Sequence, residues 1–415
     1  MQPRVLIITT YYYPVVGGVE THARQLVRYL CAAGFPTGVV TKRVLSEDAR
    51  EDVVDNVPVH RVGPPGDRHG SGKWIALPFM LVKLLQLRDR FDILVCIDYR
   101  GIGIAAVLVG GLLRRPVMVQ SGTAGVLAAP RAESGSGVPA ESAFTRLLKW
   151  PARLIYRRAD HFVCIGRDIE QEALDAGVPR QRVHYLPHGV DLRRFRPAAN
   201  AERAALRAAV GWPVDRVVVL FVGRLSIEKG IVDLVEAWRS VKDDRALLVI
   251  VGPDMPAHPW DAGPRIKTLI EQNDLKGRVR LSGASDDTAP LYRAADVFVQ
   301  PSHFEGFGIS AIEAMASGLP VVAARVGGLR DFLVDGENAL LHEPRSPASI
   351  AQALARLLSD VSERSRLAAA GLRTVRQRFD ERDVLVNYAS LITSAARPGT
   401  KDQGRTKDQG PGTKD

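Results

Sequence analysis

Cysteine is scarce in this chain of 415 residues. Its three cysteines, Cys31, Cys96 and Cys164, are widely spaced and stand in apolar surroundings. They form no Cys-x-x-Cys pair and no Cys/His cluster, which excludes the usual sequence patterns of zinc and redox sites. An odd number of isolated cysteines fits a reducing compartment. We interpret each of them as a small core residue.

Long hydrophobic runs are also lacking. The run from Val5 to Thr10 is too short for a signal peptide, and the run from Gly101 to Leu113 is glycine-rich and too short to cross a bilayer. We therefore expect a cytoplasmic protein, one that can still rest as a peripheral protein on the inner face of the cell membrane.

Aromatic residues make up only 6% of the chain, and no basic stripe is interleaved with them. This argues against a nucleic acid partner. The formal net charge is nevertheless +10, which favours anionic partners such as nucleotide sugars or phospholipid surfaces.

Short apolar runs rich in β-branched residues alternate with helical patterns along most of the chain, as in strands buried on both faces of a parallel sheet. The predicted strands are Arg4–Thr9, Gly38–Thr41, Val57–Val62, Phe91–Ile97, Pro116–Gln120, His161–Ile165, Val183–Leu186, Val217–Val222, Ala246–Val251, Val279–Ser282, Asp296–Gln300 and Leu319–Ala323. The sequence predicts an α/β protein with two doubly wound, Rossmann-like domains, residues 1–190 and 198–380, joined by the turn-rich segment Pro187–Pro197. Because such domains bind ligands at the carboxyl ends of their strands, we expect a site in a central cleft that both domains face.

The end of the chain has a different composition. From Pro398 onward it repeats Gly, Thr, Lys, Asp and Gln without apolar residues, and such a segment cannot bury a core. We expect residues 396–415 to be disordered.

The first candidate motif is Gly17-Gly18, between the first predicted strand and a predicted helix from Glu20 to Ala33. Two glycines let the backbone approach a ligand closely, and a helix N-terminus offers N–H groups to an anion. The pair is not the Gly-x-Gly-x-x-Gly fingerprint, so a tight structural turn is an equally good interpretation.

The second motif follows the first strand of the second domain and runs from Phe221 to Gly230. Arg224 and Lys229 there can both point at one diphosphate, the arginine with a fork of donors and the lysine with a mobile charge. A solvated loop with ordinary surface charges is the alternative.

The third motif is the most specific and runs from Pro301 to Pro320. Glu305 stands in a glycine-rich turn, and Glu313 stands in a small apolar helix, where a carboxylate needs a polar partner. Sugar and ribose hydroxyls are suitable partners. The backbone N–H groups of Phe307 to Ile309 open the helix and can also bind a ligand.

Together the motifs resemble those of the retaining glycosyltransferases of family four (glycosyl transferases group 1), which have the GT-B fold. The resemblance covers nearly all of residues 1–395. It rests on the three motifs above and on Pro187–Asp191 with Phe195 and Pro197, Leu291–Asp296, Gly327-Gly328, and Asp335-Gly336 with Asn338.

The resemblance implies a role for each matching residue. Glu305 would hold hydroxyls of the donor sugar, and Phe307, Gly308 and Ile309 would contact that sugar through backbone N–H groups. Glu313 would bind the ribose. Arg224 and Lys229 would hold the diphosphate, with Gly17 and Gly18 closing over it from the first domain. The last helix, about residues 381–395, would pack back on that domain, which would carry the acceptor side.

The implied reaction transfers a hexosyl group from a UDP- or GDP-sugar without a metal or other cofactor. Arg224, Lys229 and Glu305 are the predicted catalytic residues, since preorganised cations stabilise the charge that develops on the departing nucleoside diphosphate. The chain contains no Asp-x-Asp pattern, which typically holds a metal in the other large class of glycosyltransferases. By resemblance, the acceptor attacks from the front face and the leaving phosphate takes its proton.

The chain departs from the family on the acceptor side. Many members have a histidine after the strand that here reads Pro116–Gln120, whereas this chain continues Ser121-Gly122-Thr123. Ser121 and Thr123 are therefore candidate acceptor contacts. His22, His188 and His303 lie near motifs, and we assign none of them to catalysis.

Residues 145–158 combine five basic residues with apolar ones and contain no acid. Such a stretch can lie on anionic lipid, although a helix packed on its own domain with a solvated basic face is the alternative. Next to it, Ala124 to Ala143 is expected to be a mobile loop near the acceptor. The pattern suggests a lipid-linked or polysaccharide-precursor acceptor.

Two other functions remain open. A nucleotide-sugar epimerase can share the fold but needs no acceptor, and a non-catalytic protein can keep the donor site alone. The presence of Arg224, Lys229, Glu305 and Glu313 together favours the transferase.

Overall fold

A computed structural model describes residues 2–15, 17–66, 72–97, 101–127, 143–256 and 258–397, with the backbone alone given for residues 72–73 and 143–149. The predicted disordered segment lies outside these residues from 398 onward, as does most of the predicted mobile loop, 128–142.

Fourteen strands form two sheets within the described parts of the chain. They are β1 Val5–Thr9, β2 Thr37–Lys42, β3 Glu51–Val54, β4 Val57–Val62, β5 Ile93–Ile97, β6 Val117–Ser121, β7 His161–Cys164, β8 Val183–Tyr185, β9 Val217–Val222, β10 Ala246–Val251, β11 Val279–Leu281, β12 Val297–Gln300, β13 Val321–Ala324 and β14 Leu340–His342.

Thirteen α-helices are seen over the same described ranges. They are α1 Gly18–Ala32, α2 Gly72–Gln86, α3 Gly103–Leu113, α4 Ala143–Tyr156, α5 Arg167–Asp175, α6 Asn200–Ala209, α7 Ile231–Trp238, α8 Gly263–Gln272, α9 Ala289–Ala294, α10 Ile309–Ala316, α11 Pro347–Ser359, α12 Val361–Arg378 and α13 Glu381–Ala395. As the spacing of its apolar residues predicts, α1 buries Ala23, Leu26, Val27 and Leu30.

The first sheet has the strand order β3-β4-β2-β1-β5-β6-β7-β8. β1 is buried over its whole length and pairs in parallel with β2 on one side and β5 on the other. The pairs β2–β4 and β5–β6 are also parallel, while β3 is antiparallel to β4 at the edge. Continuous Val/Ile/Leu runs suit these central positions because a helix covers each face of the sheet.

The second sheet has the order β11-β10-β9-β12-β13-β14, and its recorded pairs are all parallel. Its core includes Trp238, Phe221 and Leu248, all nearly inaccessible to solvent. From β9 the sheet extends one way through β10 and β11, and β12 then pairs on the other side of β9. The second motif follows the carboxyl end of β9, and the third follows the carboxyl end of β12. The sheet thus carries both motifs to one edge, where doubly wound folds bind ligands.

The described residues divide into two compact units. The first lies within Met1–Gln120, Arg158–Phe162 and Val386–Asp415, and the second within Ser121–Arg157 and Val163–Leu385. In the first unit, the Tyr388 hydroxyl of α13 donates to Oε1 of Gln120 over 2.6 Å. The division into residues 1–190 and 198–380 that the sequence suggests stays a prediction.

The three cysteines are present as thiols rather than in disulfides. Cys96 and Cys164 are buried, and Cys31 is only partly so. Burial raises the pKa of the Cys164 thiol to about 12, which keeps it protonated and inert.

The helix that carries the predicted membrane face, α4, continues through Pro151. Trp150 and Leu154 are exposed on it, whereas Arg153 is buried and donates to the Val126 carbonyl, so this arginine does not contribute to a basic surface. The other basic residues predicted for this face include Arg146 and Lys149, whose side chains lie outside the described part. No helix in the described part is both long and apolar enough to cross a bilayer.

Candidate functional site

Two loops of the second unit meet at the carboxyl edge of the second sheet. The first follows β9 and ends in a short 3-10 helix, Ile227–Lys229, and the second follows β12. Between Lys229 and α7, Gly230 has a φ of 65°, and a Cβ atom there would lie 1.9 Å from the Pro301 carbonyl oxygen. Only glycine allows the two loops to approach this closely.

Lys229 and Glu305 form an ion pair across these loops. Nζ of Lys229 lies 2.8 Å from Oε2 of Glu305, and both side chains are largely buried. The same oxygen accepts hydrogen bonds from the Gln300 amide at 2.8 Å and the Ser302 hydroxyl at 3.2 Å. One carboxylate oxygen thus has three donors, which fixes the side chain in place.

The surroundings of Glu305 determine its charge. Burial raises the pKa of this carboxyl, but the positive charge and hydrogen bond of Lys229, helped by Gln300 and Ser302, lower it below the ordinary value. Glu305 is therefore ionised at neutral pH and can accept hydrogen bonds from hydroxyl groups.

Arg224 is more exposed than Lys229, with 55% of its side chain accessible. Its guanidinium donates to Oε1 of Glu228 over 2.7 Å, within the same loop. An exposed i,i+4 pair of this kind is weak, so the guanidinium is free to exchange its partner for a ligand anion. Arg224 lies three residues before the short 3-10 helix and Lys229 ends it, and their joint contact with a diphosphate stays a prediction.

The turn after Glu305 opens α10. Gly308 caps the helix with a φ of 106°, a conformation that favours glycine. The side chain of Phe307 is buried among the rings of Phe332, Phe379 and His188. Phe307 and Gly308 are both buried, and Ile309, the first residue of α10, is partly exposed. The first N–H groups of a helix have no partner within it and can bind a ligand.

Glu313 lies one turn into α10, between residues that are buried. Burial raises its pKa to about 7, against the opposing effects of the Tyr292 hydroxyl and the positive charge of Arg194. Glu305 and Glu313 therefore have opposite tendencies, since partners hold the first ionised and burial favours the protonated form of the second.

A shallow depression lies beside Glu305 in the same unit. Its lining includes Thr123, Asp168, Phe304, Glu305, Gly306 and Gly328. The structure thus places Thr123 close to Glu305, and a Cβ atom on Gly306 would overlap the Gly122 carbonyl oxygen. Ser121 donates its hydroxyl to the Thr123 carbonyl over 2.6 Å, so that proton is already used inside the loop.

Gly17 and Gly18 belong to the first unit, where they begin α1. The backbone of Gly17 is extended with a φ of −170°, so no left-handed conformation requires glycine here. A Cβ atom would instead lie 2.3 Å from a carboxylate oxygen of Glu20. The predicted approach of this turn to a diphosphate stays a prediction.

The three histidines near the motifs differ in their surroundings. His22 is buried against Tyr388, and burial lowers its pKa to about 4. His188 is buried beside Phe307. His303 contacts a carboxylate, with Nε2 lying 2.7 Å from Oδ2 of Asp233 in the first turn of α7.

Several functional neighbours escaped the sequence analysis. Gln300 and Ser302, which hold Glu305, precede it by only five and three residues. The signal that could have revealed them is a polar residue at the end of a buried strand, because such a side chain needs a partner. Tyr292 and Arg194, which act on Glu313, come from distant segments and carry no such signal.

Two family models match the chain in succession. "Glycosyltransferase Family 4" matches residues 16–194, and "Glycosyl transferases group 1" matches residues 202–374. The second match contains most of the candidate site.

Known proteins are similar to the chain over different lengths. A D-inositol 3-phosphate glycosyltransferase from Xylanimonas cellulosilytica is 39% identical over 208 residues, which span 49% of this chain and 49% of that protein. The alignment thus covers about half of that relative. A mannosylfructose-phosphate synthase from Agrobacterium fabrum is 27% identical, with 94% of this chain and 91% of that protein covered.

Among solved structures, the sucrose-phosphate synthase from Thermosynechococcus elongatus superimposes with a TM-score of 0.78 at 26% identity. The superposition covers 94% of this chain and 98% of that one.

Proposed function

The chain belongs to glycosyltransferase family four and has the GT-B fold, and from that premise we propose that it transfers a hexosyl group from a nucleotide-diphosphate sugar to an acceptor with retention of configuration. The observation that carries the proposal is the buried Lys229–Glu305 pair at the mouth of α10. It places a cation for a phosphate and a carboxylate for hydroxyl groups side by side, as a nucleotide sugar needs.

The donor is bound by groups of opposite charge. Lys229 and Arg224 hold the diphosphate, Glu305 and the backbone of Phe307 to Ile309 hold the sugar, and Glu313 binds the ribose hydroxyls. A carboxylate oxygen can accept hydrogen bonds from two hydroxyl groups at once, which suits the neighbouring hydroxyls of a ribose. The donor base, uracil or guanine, is left open by these contacts.

The departing nucleoside diphosphate gains negative charge as the glycosidic bond breaks. Lys229 and Arg224 are already in place to stabilise it, so no metal is needed in the proposed step. By resemblance to the family, the leaving phosphate takes the acceptor proton. Addition of EDTA is expected to leave the rate unchanged.

The acceptor is a carbohydrate or a lipid-linked precursor held near Ser121 and Thr123. Thr123 supports this because it lines the depression beside Glu305. Two relatives are a D-inositol 3-phosphate glycosyltransferase and a mannosylfructose-phosphate synthase, so phosphorylated small molecules belong in the acceptor panel.

Thermal unfolding with nucleotides tests the donor site. A ligand that binds only the folded protein raises its stability, so one of UDP, GDP or ADP, or its sugar derivative, is expected to raise the melting temperature by several degrees. The shift should be lost in Glu313→Ala and be the same with and without Mg²⁺.

The variant Glu271→Ala is the matched control, since this glutamate is 67% exposed on α8. It should respond to nucleotide as the wild type does. If no nucleotide shifts the wild type, the donor assignment is wrong. Products formed from donor alone would point instead to an epimerase, and binding without turnover on any acceptor to a non-catalytic protein.

The exposed Trp150 and Leu154 of α4 favour a second, peripheral role at an anionic membrane. Flotation with vesicles of phosphatidylglycerol tests it, and the double variant Trp150→Ser/Leu154→Ser should bind at least about fivefold more weakly. Equal flotation of wild type and variant would exclude this surface.

A further inference from the structure

His303 and Asp233 form a second polar link between the two loops of the site. Both side chains are largely buried, at 12% and 18% exposure, and their contact atoms lie 2.7 Å apart. A carboxylate can only accept a hydrogen bond, so Nε2 of His303 is the donor and the imidazole tautomer is assigned by its partner. The link joins the loop after β12 to the first turn of α7.

The backbone reinforces this link on both sides. The N–H group of His303 donates to the Glu228 carbonyl over 2.8 Å. Gly230, two residues after Glu228, packs directly on the Pro301 carbonyl group. Asp233 is also favourable where it is, because a negative charge stabilises the N-terminal turn of a helix. The two loops are thus held at three adjacent points.

The residues held in this way are the neighbours of the ion pair. Glu305 lies two residues after His303, and Lys229 lies four residues before Asp233. The distance between the cation and the carboxylate therefore depends on how the loops are joined. Lys229 and Glu305 already contact each other, but that contact is available to be exchanged for donor groups. The His303–Asp233 link shares no atom with the ion pair and can persist when the pair opens.

We propose that His303 is a positioning residue, which holds Glu305 at a set distance from Lys229 through its hydrogen bond to Asp233. The inference rests on the proposed function, because it assigns Lys229 to the donor's diphosphate and Glu305 to its sugar. Lys229 and Glu305 must bind one donor molecule at the same time. A change in the distance between them therefore weakens the contact of Glu305 with the sugar, while the contact of Lys229 with the diphosphate is kept.

Binding of paired ligands by titration calorimetry tests this role. UDP, GDP and ADP are each compared with their glucose or mannose derivative, and the ratio of the two affinities measures the sugar contact. His303→Ala and Asp233→Ala are each expected to lower that ratio by about tenfold, as small misplacements of binding groups do. The double variant should lose no more than either single one, because both changes remove the same link.

His303→Gln is the rescue variant, since its amide can donate to Asp233 from nearly the same place. It should keep the ratio within about threefold of the wild type. Glu236→Ala is the matched control, because Glu236 lies one turn further along α7 and pairs outward with Arg265. All variants are compared at a temperature where circular dichroism shows them folded.

A wild-type ratio in His303→Ala or Asp233→Ala would overturn the positioning role alone. An equal loss in His303→Gln and His303→Ala would also overturn it, because the hydrogen bond would then not be the cause. If the wild type binds none of the paired ligands, the proposed function fails, and the role of His303 fails with it.

Discussion

The two glutamates of the site show how surroundings divide one residue type into two behaviours. Glu305 accepts hydrogen bonds from Lys229, Gln300 and Ser302 and has a lowered pKa. Glu313 stands in an apolar helix, and burial raises its pKa to about 7. Only Glu313 therefore changes its charge near neutral pH, and its effect on stability can be measured.

Replacing Glu313 by glutamine is expected to stabilise the protein above neutral pH. The unfolded chain releases this proton near the ordinary value of 4.5, while the folded protein holds it up to about pH 7. The free energy of unfolding of the wild type therefore falls between these values, by about 3 kcal/mol, and that of Glu313→Gln does not. Urea unfolding at pH 4.5 and pH 8 measures the difference.

Glu271→Gln serves as the control for this prediction, since an exposed glutamate should show no such pH-dependent gain. The affinity for nucleotide should fall in Glu313→Gln, because glutamine has only one carbonyl oxygen to accept hydrogen bonds from the ribose hydroxyls. If the difference in the free energy of unfolding between wild type and Glu313→Gln is the same at pH 4.5 and pH 8, burial does not raise the pKa of Glu313.

At the residue scale, the sequence predicted which side chains carry charge at the site but not how they pair. Lys229 and Glu305 are 76 positions apart, and the sequence around neither residue indicates their contact. The link between His303 and Asp233, 70 positions apart, is equally long-range. Pairings of this kind follow from strand order, which brings β9 beside β12.

At the scale of elements, the buried strands were predicted well, and of the four edge strands β8 and β11 were predicted while β3 and β14 were missed. β4, β9 and β10 have the bounds that their apolar runs predict. β3 was missed because Glu51 and Asp52 begin it at an exposed antiparallel edge, where no apolar run is needed. β14 was missed because its three residues, two leucines and a histidine, include no β-branched residue, although Leu340 and His342 are buried. Periodicity detects burial and gives little signal at an exposed edge such as β3.

Gly230 links local conformation to the site, and its replacement is predicted to be costly. Gly230→Ala combines a positive φ with overlap against the Pro301 carbonyl oxygen, so it should destabilise the protein by about 3 kcal/mol or more. It should also weaken donor binding, because Lys229 must move. Chemical unfolding and calorimetry measure the two effects.

Gly211→Ala provides a control with the same backbone conformation. Its φ is 67°, against 65° at Gly230, but a Cβ atom at Gly211 meets nothing within 4 Å. Gly211→Ala should lower the free energy of unfolding only by the strain of the left-handed backbone, about 1 kcal/mol, and should leave donor binding unchanged. Equal losses in the two variants would show that the contact with Pro301 does not matter.

At the scale of the whole molecule, the fold was predictable from the sequence, whereas the domains 1–190 and 198–380 stay a prediction. Alternating strands and helices indicated two doubly wound sheets, and the solved structure from Thermosynechococcus elongatus confirms that fold. The compact units cut the chain at Gln120, Arg157, Phe162 and Leu385, within or beside regular elements. Composition marks linkers, but these boundaries depend on packing between distant segments, which composition does not record.

The net charge of +10 leads to a prediction about rate. A positive protein attracts an anionic donor over distances that salt screens, so kcat/KM for the nucleotide sugar should fall about two- to threefold between 50 and 200 mM KCl. Steady-state kinetics at constant pH measure the fall. An uncharged acceptor sugar should show no comparable dependence, and a salt-independent kcat/KM for the donor would exclude long-range attraction.

The buried Lys229–Glu305 pair has a consequence for selectivity against small anions. A free phosphate that approached Lys229 would separate the lysine from its carboxylate and would leave Glu305 buried without a counter-charge. A nucleotide sugar supplies an anion to one partner and hydroxyl groups to the other, so the exchange leaves neither group unsatisfied. We therefore expect the pair to favour a nucleotide sugar over inorganic phosphate, which would satisfy Lys229 alone.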